Sequence, residues 1–274
     1  MRPARLTPAR AAASGSARGA ALAGRSAGPG RLAVVLVAHG SRDPRAAEAT
    51  TALATAVARA YPEWEVHPSY LDHAGPRPLD VLAGLAFRGH TRAVLVPLLL
   101  TAAYHGRVDV PAVVTAARGA GLPIEVTVAD VLGPRAGRVP ADLLDGLIRR
   151  LPGAGLDAVV LAAAGTRDAA ARTTVAEVAV ALGERLGVPS AVAYASAAAP
   201  SAAEAVEALR AGGATRVGVA AYFLAPGRLY DVAAGSARSA GAVAVSDPLG
   251  DAPELVRLVA SRVDAAALVR LPAA

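Results

Sequence analysis

The chain is one α/β unit written twice, and that repeat limits its fold more than any other feature. The first copy opens Val34-Val35-Leu36-Val37-Ala38-His39-Gly40-Ser41-Arg42-Asp43, the second Val159-Val160-Leu161-Ala162-Ala163-Ala164-Gly165-Thr166-Arg167-Asp168. Glycine, hydroxyl, arginine and aspartate recur in order about 125 residues apart. A short continuous apolar run followed by a turn and a helix former is the signature of a strand buried on both faces of a parallel sheet. In the first copy the pattern predicts strands at 32–38, 66–71, 93–99 and 124–128. Helices are predicted at 46–60 (opened by Pro44), 78–87, 110–118 and 141–150. The second copy predicts strands at 158–163, 191–195, 216–224 and 242–245, with helices at 169–186, 202–211, 229–237 and 253–269. Strands alternating with helices of this length imply parallel sheets covered on both sides. The expected halves are residues 31–150 and 156–274, joined through 151–155.

What differs between the copies points to chemistry. All five histidines (His39, His67, His73, His90 and His105) fall in the first 105 residues, and His39 is replaced by Ala164 in the second copy. A scaffold feature belongs in both copies, whereas a reactive group is needed once. Ligands of parallel α/β sheets bind outside the carboxyl ends of the strands. His39 follows the first strand directly, and His105 follows the third after Leu98-Leu99-Leu100-Thr101-Ala102-Ala103-Tyr104, so both emerge at the same edge. Two imidazoles converging on one crevice can bind a divalent metal or move protons. Asp72, at the end of the second strand, is expected to project into the same crevice; it is a third ligand, a helix cap, or a partner that orients His73. Two histidines and a carboxylate with open positions hold a metal loosely, unlike a closed four-ligand site. His73 is expected to point the other way, His90 to serve a helix C-terminus, and His67 to have no role.

Composition removes several alternatives. No cysteine is present, so there is no disulfide, thiolate metal site or iron–sulfur cluster. All 28 basic residues are arginine, which excludes a Schiff-base or P-loop lysine. Five of these arginines, with no acid, lie in residues 1–30, so the rest of the chain is near neutral despite the net +6. A nucleic-acid surface and a membrane span are therefore not expected. Residues 1–30 lack large apolar side chains and are expected to form a disordered extension, or to reflect a start assigned too early, rather than a targeting peptide. A cytoplasmic location is expected. No GxGxxG or GxxxxGK[ST] accompanies the Gly40 turn, and Ala38 stands where the Arg-His-Gly of histidine phosphatases needs arginine.

At these residues the chain resembles the sirohydrochlorin chelatases of the CbiX and SirB type, among the class II chelatases. Ala38-His39-Gly40-Ser41-Arg42-Asp43 is similar to that family's opening motif. Pro97-Leu98-Leu99-Leu100-Thr101-Ala102-Ala103-Tyr104-His105, followed by Arg107-Val108-Asp109-Val110-Pro111, is similar to its second. Tyr70-Leu71-Asp72 sits where relatives often carry a glutamate, and Tyr222-Phe223-Leu224-Ala225-Pro226-Gly227-Arg228-Leu229 resembles a degenerate second motif without histidine. The resemblance implies two similar flavodoxin-like α/β domains, each a parallel sheet flanked by helices, facing across a cleft. The first half would be catalytic and the second would form a substrate-binding wall.

It also implies insertion of a divalent metal into sirohydrochlorin, with Fe2+ favoured (sirohaem) and Co2+ the alternative (cobalamin). The metal is a substrate and no cofactor is permanently bound. His39 and His105 are the implied catalytic pair, and together with Asp72 the metal ligands. Ser41, Arg42, Tyr104, Arg107, Arg167 and Arg228 are the implied substrate contacts, because planar guanidinium forks suit a polycarboxylate. A carrier that binds tetrapyrrole or metal without catalysis is the alternative class, and the intact histidine pair argues against it. The chain is expected to act as a monomer closing its own cleft or as a homodimer.

Overall fold

The computed structural model describes residues 31–101, 109–153 and 155–268. Residues 1–30, Tyr104, His105 and Arg107 lie outside them. The first half contains β1 (Leu32–Ala38), α1 (Pro44–Ala60), β2 (Trp64–Tyr70), α2 (Pro78–Phe87), β3 (Arg92–Pro97), α3 (Val110–Gly119), β4 (Glu125–Val128) and α4 (Ala141–Arg150). The second contains β5 (Ala158–Ala163), α5 (Ala169–Leu186), β6 (Ser190–Tyr194), α6 (Ala202–Ala211), β7 (Val217–Tyr222), α7 (Arg228–Ser239), β8 (Ala244–Val245) and α8 (Pro253–Leu268). Both sheets are parallel, ordered β2-β1-β3-β4 and β6-β5-β7-β8. The two halves are thus flavodoxin-like α/β domains of the same topology. In each, the chain reverses its direction of winding between the first and third strands, where such folds place ligands.

Local sequence explains the helix boundaries. Asp43 and Asp168 cap α1 and α5 by accepting backbone N–H bonds from Arg45 and from Ala170 and Ala171 respectively. Pro44 opens α1 where its missing N–H costs nothing. Ser201 and Glu204 form a reciprocal capping box on α6. The strands end earlier than expected: β3 stops at Pro97 and β7 at Tyr222. The apolar residues that follow, Leu98–Leu100 and Phe223–Leu224, line the space between the halves instead of extending the sheets.

Alternation along each strand divides the core. Val34, Leu36, Val94 and Val96 face inward, whereas Ala33, Val35, Val37, Ala93 and Leu95 pack outward on α2 and α3. The second sheet repeats this, with Val159, Leu161 and Ala163 inward and Ala158, Val160 and Ala162 against α6 and α7. The inner faces share one continuous core because the halves exchange their last helices. α4 packs on α5 and β7 of the second half, and α8 packs on α1, β3 and β4 of the first. The repeat boundary in the sequence, 151–155, therefore falls after α4 has already crossed to its packing partner.

The exchanged helices also meet each other. A Cβ on Gly146 of α4 would lie 3.1 Å from Leu249 Cδ2 and 3.4 Å from Glu254 Cβ, so glycine sets the close approach. Buried Glu254 accepts two bonds from Arg149 Nε, at 2.8 and 2.9 Å. Burial works to raise the Glu254 pKa, but the Arg149 bond, a backbone N–H bond and the charges of Arg149 and Arg257 together hold the carboxyl below its ordinary value. Arg257 reaches Asp142 and Arg150 reaches Asp251 along the same seam. Among the described residues, no helix is long and apolar enough to cross a membrane.

Candidate active site

The cleft between the halves forms at the carboxyl ends of β1, β3, β5 and β7. A cavity of about 640 Å³ there is lined from one side by Leu98, Leu99, Leu100 and Thr101 and from the other by Gly165, Tyr194, Phe223 and Leu224. Its walls are mainly apolar, and its size suits a sizeable organic ligand. A smaller cavity of about 150 Å³ shares Leu98 and Leu224 with it and is lined by His39, Gly40, Tyr70 and Ala225. His39 therefore stands at one end of a cleft contributed by both halves.

Two turns are pressed together to make this end. Gly40 has φ +93°, and a Cβ on it would sit 1.8 Å from the Asp72 carbonyl oxygen, so only glycine fits there. The Asp72 N–H donates to the His39 carbonyl at 2.8 Å. Behind the turn, Ser41 Oγ accepts the Asp43 N–H at 3.0 Å. Thr166 and Asp168 repeat that bond at 3.1 Å, and Gly165 repeats the φ of +93° with its missing Cβ 1.9 Å from Ser196 O. The Gly-hydroxyl-Arg-Asp motif is thus a turn scaffold common to both halves, and the Ser41 hydroxyl is engaged within it.

The side chains on that scaffold differ between the halves. His73, expected to point away, instead lies edge-on to His39 with ring centres 6.1 Å apart, and its Nε2 is 3.5 Å from Asp72 Oδ2. The correction has a backbone cause: His73 has φ +60°, so the up-down alternation of an extended strand does not apply to it. Ala197, with φ +61°, occupies the matching place in the second half. Superposing the turns by their bonds (Tyr70 N–H to Pro76 O, Tyr194 N–H to Pro200 O) pairs Asp72 with Ser196 and His73 with Ala197. Comparing Tyr70-Leu71-Asp72-His73 with Tyr194-Ala195-Ser196-Ala197 in the sequence would have exposed this second loss of an imidazole.

Electrostatics favour an ionised Asp72. The His73 backbone N–H bond, helped by the charges of His73, Arg77 and His39, holds its carboxyl below the ordinary aspartate value against the opposing effect of burial. Among the described residues, no three His, Asp or Glu side chains are already gathered tightly enough to hold a metal ion. Asp72 and His73 are exposed, so their approach to an ion needs only rotamer changes.

The remaining expected residues are placed as follows. Arg42 and Arg167 are exposed at the starts of the matching turns, and Arg228 is exposed in the first turn of α7. None of the three makes an ion pair among the described residues. Arg45 was not singled out in the sequence, yet it joins Asp43 to Asp231 of α7, both at 2.6 Å, and so ties the halves at the mouth of the cleft. Tyr222 Oη, which burial holds protonated by raising its pKa, donates across the cleft to the Leu100 carbonyl at 2.7 Å.

His90 is buried just beyond the end of α2, with Nε2 2.8 Å from Glu65 Oε2. His67 and Arg88 bind the other oxygen of Glu65. Burial raises the Glu65 pKa, but the three partners together lower it to about 2. This is a tie between β2 and the end of α2, away from the cleft.

Comparison with known proteins places this architecture. The family model described as CbiX matches residues 33–141 and 158–266, once in each half. The chain is 25% identical over 81 residues to a sirohydrochlorin cobaltochelatase of Methanococcoides burtonii, and 25% identical over 85 residues to one of Methanosarcina acetivorans. Those matches span 62% and 65% of the relatives and 30% and 31% of this chain. In fold it is similar to the sirohydrochlorin chelatase SirB from Bacillus subtilis subspecies spizizenii, solved in complex with cobalt. That likeness has a TM-score of 0.70 at 20% identity and covers 88% of this chain and 97% of that one. It is also similar to CbiX described as the terminal enzyme for biosynthesis of siroheme in denitrifying bacteria, with TM-score 0.58, 21% identity, and coverage of 86% and 99%.

Proposed function

This chain belongs to the CbiX family, and from that premise we propose that it inserts a divalent metal ion into sirohydrochlorin. The observation that carries the reading is the one-sided site: His39 borders a cleft built by both halves, and its twin position is Ala164. The reaction removes two pyrrole protons while a partly dehydrated ion enters the ring. A histidine near its ordinary pKa accepts a proton at neutral pH. His39 and His105, with Asp72, would hold the ion by labile ligation until the ring nitrogens take over. The apolar cleft suits the flat face of a macrocycle, and Arg42, Arg107, Arg167 and Arg228, with Ser41 and Tyr104, would meet its carboxylates.

Fe2+ is the metal we favour. Co2+ is the second reading, supported by the names of the curated relatives, and both ions accept the same donors. Purified protein mixed anaerobically with sirohydrochlorin and Fe2+ or Co2+ tests the proposal by visible spectroscopy. Conversion faster than without protein supports it, and the ratio of the two rates assigns the metal. Stoichiometric binding with no acceleration would instead make the protein a carrier.

The histidine-free half is the proposed substrate clamp. Arg228→Ala is expected to raise KM about 10 to 100-fold with a smaller change in kcat, because it removes a charge-assisted contact of about 1.5 to 3 kcal/mol. Titration of sirohydrochlorin into the variant measures this. Unchanged affinity would place Arg228 outside the substrate contacts.

A further inference from the structure

We propose that His73 is a metal ligand of this site, forming with His39 and Asp72 an entry station for the ion. The inference rests on the chelatase reading only for the purpose of that ion. Three observations carry it. The first is spacing: 3.5 Å between His73 Nε2 and Asp72 Oδ2 exceeds the usual N–H···O range of about 2.7–3.2 Å. It matches the roughly 3.4 Å between two donors about 2.1 Å from one ion at a tetrahedral angle. The second is the facing ring: His39 and His73 are 6.1 Å apart between centres, near the order of 5–6 Å for two imidazoles sharing an ion.

The third observation is the second half, which serves as an internal control. Its turn has the same backbone, with Ala197 at φ +61° beside His73 at φ +60°, so the left-handed turn exists without a histidine. Yet His39, Asp72 and His73 are matched there by Ala164, Ser196 and Ala197. All three donors are present in one half and absent from the other, and shape alone explains none of them. Because Asp72 and His73 are exposed, and His73 faces the His39 ring that lines the small cavity, an ion can reach this station directly from solvent. It can then pass to the tetrapyrrole beside His39.

The test is Co2+ binding to the full chain without tetrapyrrole, followed by its visible absorption and by calorimetry. His73→Ala is the informative variant, since Ala197 shows that the fold accepts alanine at this φ, and its Tm is expected to match the parent. Co2+ affinity is expected to fall about 10-fold or more, with the spectrum changed by loss of one nitrogen ligand. His67→Ala, at the Glu65 tie, is expected to leave it unchanged. Affinity in His73→Ala within two-fold of the parent, or no Co2+ binding by the parent, would overturn the proposal. His73-dependent Co2+ binding without metal insertion would instead overturn the chelatase reading alone.

Discussion

His39→Ala and His105→Ala are each expected to slow metal insertion by about 10²-fold or more, with Tm close to that of the parent. His39 is an exposed residue at a strand end whose twin is already alanine, so its ring is not needed to build the turn. If the two histidines share the work of proton acceptance and ion handling, the double variant should be little worse than the poorer single one. Anaerobic turnover with saturating sirohydrochlorin, beside thermal melts of the same preparations, measures both effects. Near-normal turnover in both single variants would remove these histidines from the reaction.

Gly165→Ala is expected to have a large effect on stability. The new methyl would meet the Ser196 carbonyl at 1.9 Å, at a φ of +93° that side chains rarely adopt. Backbone strain and the forced separation of the two turns together cost on the order of 3 kcal/mol or more. For a chain of this size that lowers Tm by roughly 10 °C. Gly165 lies in the half without histidine, so the damage is to the scaffold and not to an acid–base group. A melt indistinguishable from the parent would mean that the turn relaxes without cost.

The sequence was most legible where structure is locally encoded. The boundaries of α2, α4, α5 and α6 coincide with the expected ones because proline, aspartate and serine caps act within a turn of themselves. The repeat and the His39/Ala164 contrast already pointed to the cleft end of the first sheet. Strand ends were less legible, because Leu98–Leu100 look the same in the sequence whether they extend β3 or line a cavity. His73 was hidden by the alternation rule, which fails at a left-handed residue. The helix exchange was hidden for a different reason: an amphipathic pattern says that a face is apolar without naming the sheet it covers.

That exchange has a consequence for the ancestry and cohesion of the chain. The backbone passes between the halves twice, once before α4 and again before α8, so the halves are laced together. A cut at residues 151–157 would leave two fragments, each lacking the foreign helix over its inner sheet face. Separately they would open to water the inner faces of β3, with Val96, or of β7, with Ala220. Produced together, they are expected to reassemble and co-purify. The same packing is what remains when two copies of a half-length chain, paired by trading their last helix, become fused end to end. No contact would have to be invented on such a fusion, and two copies in one chain would need only one set of imidazoles.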